Sequence, residues 1–192
     1  AELCKHLDGL PLAIELAAAR SKLFSPASLL KRLEQRFSLL KDGPSDLPLH
    51  QQALETTLLW SYEQLNDSEK NLLTTLGVFI GSFDTEAVEG IAESNILHDL
   101  TSLVDKSLLQ RLTEGDEVRF SLLETVREFA LSRLSAHEVQ NLRERHARYF
   151  VELAERLEPQ LAGAEQEKLL NGLERDYPNF RHVLAWTFQH HR

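Results

Sequence analysis

The feature that most constrains this chain is its apolar spacing, which is helical in nearly every segment and changes only after Lys106. Apolar residues three and four apart line one side of a helix, whereas short runs flanking a turn signal line a strand. The pattern therefore predicts a mainly α protein with one small β-hairpin. Leu3, Leu7, Leu10, Ile14 and Leu16 set the period, with Ala17 to Ala19 behind them and Gly9 and Pro11 as punctuation. A helix is predicted to end near Asp8, to joint at Gly9, and to restart at Pro11, because a first-turn proline sacrifices no hydrogen bond. Ser25-Pro26 repeats that start signal ahead of Leu29, Leu30 and Leu33. The stretch 41–49, with Gly43, Pro44 and Pro48, reads as a loop.

From Leu49 a long amphipathic helix is predicted through Leu54, Leu58, Leu59, Tyr62 and Leu65. Asn66 with Glu69 makes a capping-box pattern for a helix whose inner side is Leu72, Leu73 and Leu76. Asp84 caps a short helix over Ala87, Val88 and Ile91, and Ile96, Leu100, Leu103 and Val104 mark a third. Strands over 107–112 and 118–122 then flank Glu114-Gly115-Asp116, a hairpin turn. Three short helices followed by a hairpin are the winged-helix arrangement, and 125–134 supplies one more helix. Helices over 139–157, 165–173 and 178–188 follow, and helix pairs at this spacing look like the start of a tetratricopeptide-like array. The predicted segments are a leading helical subdomain at 1–65, a winged helix at 66–136 and a helical-repeat start at 137–192.

Composition narrows the function classes. A net charge of −9 opposes binding to phosphate backbones and anionic lipid, which need a concentrated positive field. Cys4 is the sole cysteine, so no intramolecular disulfide can form, and a cytoplasmic setting is expected. Apolar runs fall short of the roughly 20 residues of a spanning helix, and no signal peptide opens the chain, so no membrane partner is expected. There is no methionine, and Ala1 falls inside an apparent helix, so a fragment of a larger protein is expected.

The residues that could carry chemistry are few. No glycine sits in a phosphate-binding Gly-x-x-x-x-Gly-Lys-Ser/Thr loop, so the chain alone cannot cradle a triphosphate. Cys4 and His6, two apart on a helix, point to different sides, and His190-His191 have no third ligand at metal-site spacing. No catalytic or metal residue is assigned. The third winged-helix helix, which in DNA readers enters the major groove, would offer Asn95, His98, Asp99, Ser102, Asp105 and Lys106. Its two aspartates would face phosphates, and 66–135 holds 6 Lys/Arg against 13 Asp/Glu, so no DNA binding is expected from it. Gly9-Leu10-Pro11-Leu12 alone is either punctuation between helices or a ligand contact.

Asp8-Gly9-Leu10-Pro11-Leu12-Ala13-Ile14-Glu15-Leu16-Ala17-Ala18-Ala19-Arg20 closely resembles a stretch of bacterial STAND (NB-ARC-like) signalling ATPases, relatives of apoptotic protease-activating factors and plant disease-resistance proteins. The resemblance continues in order through 57–62, 76–79, 103–109, 122–130, 145–150 and 179–181. It implies that 1–65 is the helical lid of a nucleotide-binding module, with Gly9, Leu10 and Pro11 on the adenine side. It also implies ADP or ATP with magnesium in the complete protein, a slow ATPase switch, and no tight nucleotide on this segment alone. Many relatives place a Met-His-Asp motif over the phosphate; the matching positions here are Leu122, Leu123 and Glu124, and Leu123 has no proton to donate. The implied partners are an upstream nucleotide-binding domain, an inducer at downstream repeats, and further copies of the protein on activation. The implied role is a transcriptional or signalling regulator. A DNA-binding winged-helix module and a helical-repeat adaptor without nucleotide are the competing readings.

Overall fold

The computed structural model describes residues 11–21, 24–25, 27–29, 31, 49–92, 96–114, 117–163 and 166–190. The joint at Gly9-Leu10, Cys4, His6, the predicted 41–48 loop and His191 lie outside them. The described residues form two compact units, one running to Lys70 and taking in Asp99–Leu108, the other holding Asn71–His98 and everything from Leu109 onward.

In the first unit α1 (Pro11–Arg20) begins at the predicted proline. It packs against α2 (Leu49–Glu63). Ala13 and Ala17 bring the two backbones close, and they share a core with Leu29 and Trp60, edged by Ile14, Phe24 and Leu54. Residues 27–29 are helical, and the Ser25 hydroxyl accepts from the Ser28 N–H at 3.3 Å, as its cap position predicts. Helix α3 (Asp67–Leu76) carries the predicted capping box: Asn66 Oδ1 accepts from the Glu69 N–H and Glu69 Oε2 from the Asn66 N–H, both at 2.9 Å. Helix α5 (Leu97–Asp105) ends in a Schellman turn, with Leu108 N–H on the Leu103 carbonyl and Ser107 N–H on that of Val104. Ser107 occupies the left-handed position at φ 58°, usually a glycine's, so no breaker residue marked this stop.

In the second unit Asp84 caps α4 (Thr85–Ile91) by accepting from the Ala87 N–H at 2.8 Å. The hairpin forms as β2 (Gln110–Glu114) and β3 (Glu117–Ser121), but it is not two-stranded: β1 (Ser82–Phe83) pairs antiparallel with β3, giving the order β1-β3-β2. A two-residue strand is too short to show a period, which hid it from the sequence. Beyond α6 (Glu124–Leu131) and α7 (Ala136–Leu157), the two predicted C-terminal helices are one, α8 (Gln166–His190), running through Pro178. Proline ordinarily starts or breaks a helix because it lacks an N–H and crowds the preceding turn. Pro178 is retained mid-helix where its ring packs on the Gly81 turn, Cγ standing 3.4 Å from where a Gly81 β-carbon would lie. The core joins Leu73, Leu76, Val88, Ile91 and Val126 to an aromatic group in which Phe79 stacks on Phe83 at 4.3 Å and meets Phe150 edge-on. Helix α7 lies along α4, where Gly90 leaves room for the Tyr149 ring; a β-carbon there would come within 2.4 Å of it.

Candidate functional site

Three places can be tested for function: the start of α1, the start of α6, and the polar surfaces of the winged helix. Pro11 is exposed in the first turn of α1, while Gly9 and Leu10 lie outside the described residues. Leu123 is the N-cap of α6 with extended backbone (φ −63°, ψ 143°), half-buried and without a capping hydrogen bond. Glu124 opens the helix at the surface and takes both oxygens to Arg127, at 2.9 Å to Nε and 2.5 Å to Nη2. That hydrogen bonding holds the Glu124 carboxyl below its usual range and raises the Arg127 guanidinium. A leucine cap and an ionised carboxylate do not fit a phosphate, so no phosphate contact is assigned to 123–124.

The third winged-helix helix is α5. Leu97, His98, Thr101 and Asp105 are exposed on it, whereas Asp99 is only 6% exposed. The expectation that both aspartates face outward is therefore corrected: Asp99 sits one turn before Leu103 and points inward with Leu100 and Leu103. Lys106 is bound to Glu69, which is 3% exposed and also accepts from the Ser102 hydroxyl. Burial alone would push the Glu69 carboxyl up, but the bonds from Lys106, Ser102 and the Asn66 N–H together bring it below its usual value. Four more of the winged helix's six cations are engaged within the chain. Lys70 stands 5.7 Å from the Tyr62 ring centre and Arg133 4.5 Å from that of Phe129. Arg127 pairs with Glu124, and Arg119 is buried; Arg111 lies exposed on β2.

Arg119 centres a network that the sequence reading missed. Its side chain, on β3, donates from Nε to Ser82 Oγ at 2.9 Å, and from Nη2 to the Ser82 carbonyl at 3.0 Å and to Asp176 Oδ1 at 2.5 Å. Beside it Asn179, fully buried, accepts from the Ile80 N–H at 2.8 Å and donates to the Ser82 carbonyl at 3.1 Å. Those two bonds orient the amide, so Oδ1 also faces His146 Nε2 at 3.3 Å and requires the proton there. Burial lowers the His146 pKa to about 4 against the opposing Asn179 bond, with nearby His182 adding to the fall, so the ring is neutral near pH 7. Burial raises the Asp176 carboxyl despite Arg119. The only hint in the sequence was an arginine set between Val118 and Phe120.

Residues 65–135 match the family model of a winged helix-turn-helix domain. They form a winged-helix domain. Over 97% of its length the chain is 36% identical to a protein of Mycobacterium bovis and to one of Mycobacterium tuberculosis, each bearing the name of an HTH-type transcriptional regulator. It covers 22% of each, so it spans about a fifth of the length of these curated relatives. An uncharacterized protein of M. tuberculosis is 36% identical over 70% of this chain and 36% of its own length. A solved structure, a Signal Transduction ATPase with Numerous Domains (STAND) protein with a tetratricopeptide repeat sensor from Pyrococcus horikoshii, aligns at a TM-score of 0.48 with 18% identity. That alignment covers 92% of this chain and 30% of the other. Among the described residues no helix is long and apolar enough to cross a membrane.

Proposed function

We propose that this chain is a regulatory segment of a transcriptional regulator, comprising the lid and winged helix of a nucleotide-dependent switch, with its winged helix turned toward protein and not toward DNA. The observation that carries the second half is the engagement of five of the six winged-helix cations inside the chain. Affinity for a duplex comes largely from cations that displace counterions, and cations already held by carboxylates or aromatic faces displace few. The first half is supported by the ordered resemblance of 8–20 and the later motifs to STAND proteins, and by likeness to proteins named as transcriptional regulators.

In this reading Pro11 offers a rigid apolar face to an adenine, with Gly9 and Leu10 beside it in sequence. Such a contact is worth about 1 kcal/mol at 25 cal/mol per Å². ADP or ATP with magnesium is held chiefly by an upstream nucleotide-binding domain, which supplies the phosphate contacts that 123–124 cannot. An inducer acting at downstream repeats shifts the protein to an open, self-associating form by binding that form more tightly. In the complete protein Pro11→Ala should weaken ADP retention about fivefold, the loss of about 1 kcal/mol, and raise basal output. Unchanged affinity and output would remove Pro11 from the site. The winged helix-turn-helix match keeps one other reading in view, direct DNA contact through α5 and the wing. Salt-sensitive duplex binding in a low-salt mobility shift would establish it against the reading preferred here.

A further inference from the structure

Helix α8 follows the winged helix in sequence, yet the winged helix is not satisfied without it. Strand β1 is two residues long and is held on one side by β3. On its other side α8 supplies what the 80–82 backbone lacks: Asn179 Oδ1 for the Ile80 N–H, Asn179 Nδ2 for the Ser82 carbonyl, and the Pro178 ring against Gly81 at φ 76°. The Ser82 carbonyl receives a second bond from Arg119, whose guanidinium ends on Asp176 of the same helix. Arg175, next in line, pairs with Glu117 of β3 at 3.0 Å. Residues 175, 176, 178 and 179 of α8 thus reach β1, the turn before it, and β3. Buried polar groups seldom stay unpaired, because each orphan costs the full desolvation of that group. Moving α8 away by itself would strip the Ile80 N–H of its acceptor, the Ser82 carbonyl of one donor and the Arg119 guanidinium of its closest anion in one step.

We propose that Asp176, Pro178 and Asn179 form a latch on β1 and β3, so that release of α8 and release of the wing are a single event, through which the helical hairpin α7–α8 reports its state to the winged helix. The direction of that signal rests on the switch reading above; the coupling does not. It requires the polar bonds themselves, since packing alone would let the helix fray while the sheet stayed closed. His146 belongs to the latch as a positioning residue, its Nε2 proton holding the Asn179 oxygen toward Ile80.

Hydrogen exchange on the intact protein tests this. Asn179→Leu, which keeps the heavy-atom branching and removes the amide's bonds, should speed exchange of the Ile80 amide, of 118–121 and of 176–183 by one common factor, at least about tenfold for bonds of this kind. Acceleration at Ile80 with 176–183 unchanged, or fraying of α8 with 118–121 unchanged, would overturn the latch. Should Asn179→Leu fail to fold, Asp176→Asn gives the same comparison with an expected shared factor of about three. If the intact protein retains no nucleotide while these segments still accelerate together, the switch reading falls and the latch stands.

Discussion

Among the described residues the winged helix buries Glu69, Asp99 and Arg119, and Glu69 and Arg119 are satisfied in opposite ways. Glu69 finds its partners, Asn66, Ser102 and Lys106, within α3, α5 and their immediate flanks, so the domain supplies everything that carboxylate needs. Arg119 finds Ser82 and, at 3.8 Å, the Asp84 carboxylate inside the domain, but its closest anion, Asp176 at 2.5 Å, lies 57 residues further on in α8. A charge with local partners can stay paired whatever the rest of the chain does. One whose counter-ion comes from another segment makes burial conditional on that segment's position. The contrast teaches that the winged helix is self-sufficient around Glu69 and conditional around Arg119.

The largest expected effect breaks the conditional side. Arg119→Met should leave Asp176 buried without its cation and cost about 3 kcal/mol in urea unfolding, in line with other broken buried pairs. A loss within experimental scatter would mean that water already screens the pair. Acid should weaken the same side next. With its folded pKa near 4, below the ordinary 6.5, His146 takes up its proton more readily in the unfolded chain. Its contribution is complete above about pH 6.5 and declines toward pH 4 by up to about 3 kcal/mol. An NMR titration that finds the His146 ring protonating near pH 6.5 would contradict this. On the self-sufficient side, Glu69→Ala should cost about 2 kcal/mol, since it removes a capping box but leaves Lys106 able to reach water. A cost above that of Arg119→Met would reverse the comparison. The smallest effect should be a gain: Ser107→Gly relieves the left-handed turn and should add about 0.5 to 1 kcal/mol, read as a rise in Tm. A fall in Tm would show that the Ser107 side chain matters there more than its backbone.

What could be read from the sequence follows from how local each cause is. Asn66, Asp84 and Pro11 marked their helices because a cap or a first-turn proline acts within one turn. The hairpin was visible because Glu114-Gly115-Asp116 is a turn signal in the sequence, though β2 begins at Gln110, after the Ser107 turn, and not at 107, and runs on through Glu114, which pairs with Glu117. Strand β1 and the unbroken α8 were not visible, since both depend on the meeting of Gly81 with Pro178. The site divides the same way. Pro11 was singled out by its neighbours in sequence, while Arg119, Asp176 and Asn179 become a group only once 57 to 99 residues have folded back.

A pair of double-mutant cycles, Arg119→Met with Asp176→Leu and Glu69→Gln with Lys106→Met, bears most directly on the claim that α8 completes the wing. Measured by urea unfolding of the intact protein, the Arg119–Asp176 coupling should reach about 2 kcal/mol and the hydrogen-exchange protection of 118–121 should fall with it. Additivity within about 0.5 kcal/mol, with 118–121 as protected as before, would contradict the account and leave the wing independent of the helices that follow it.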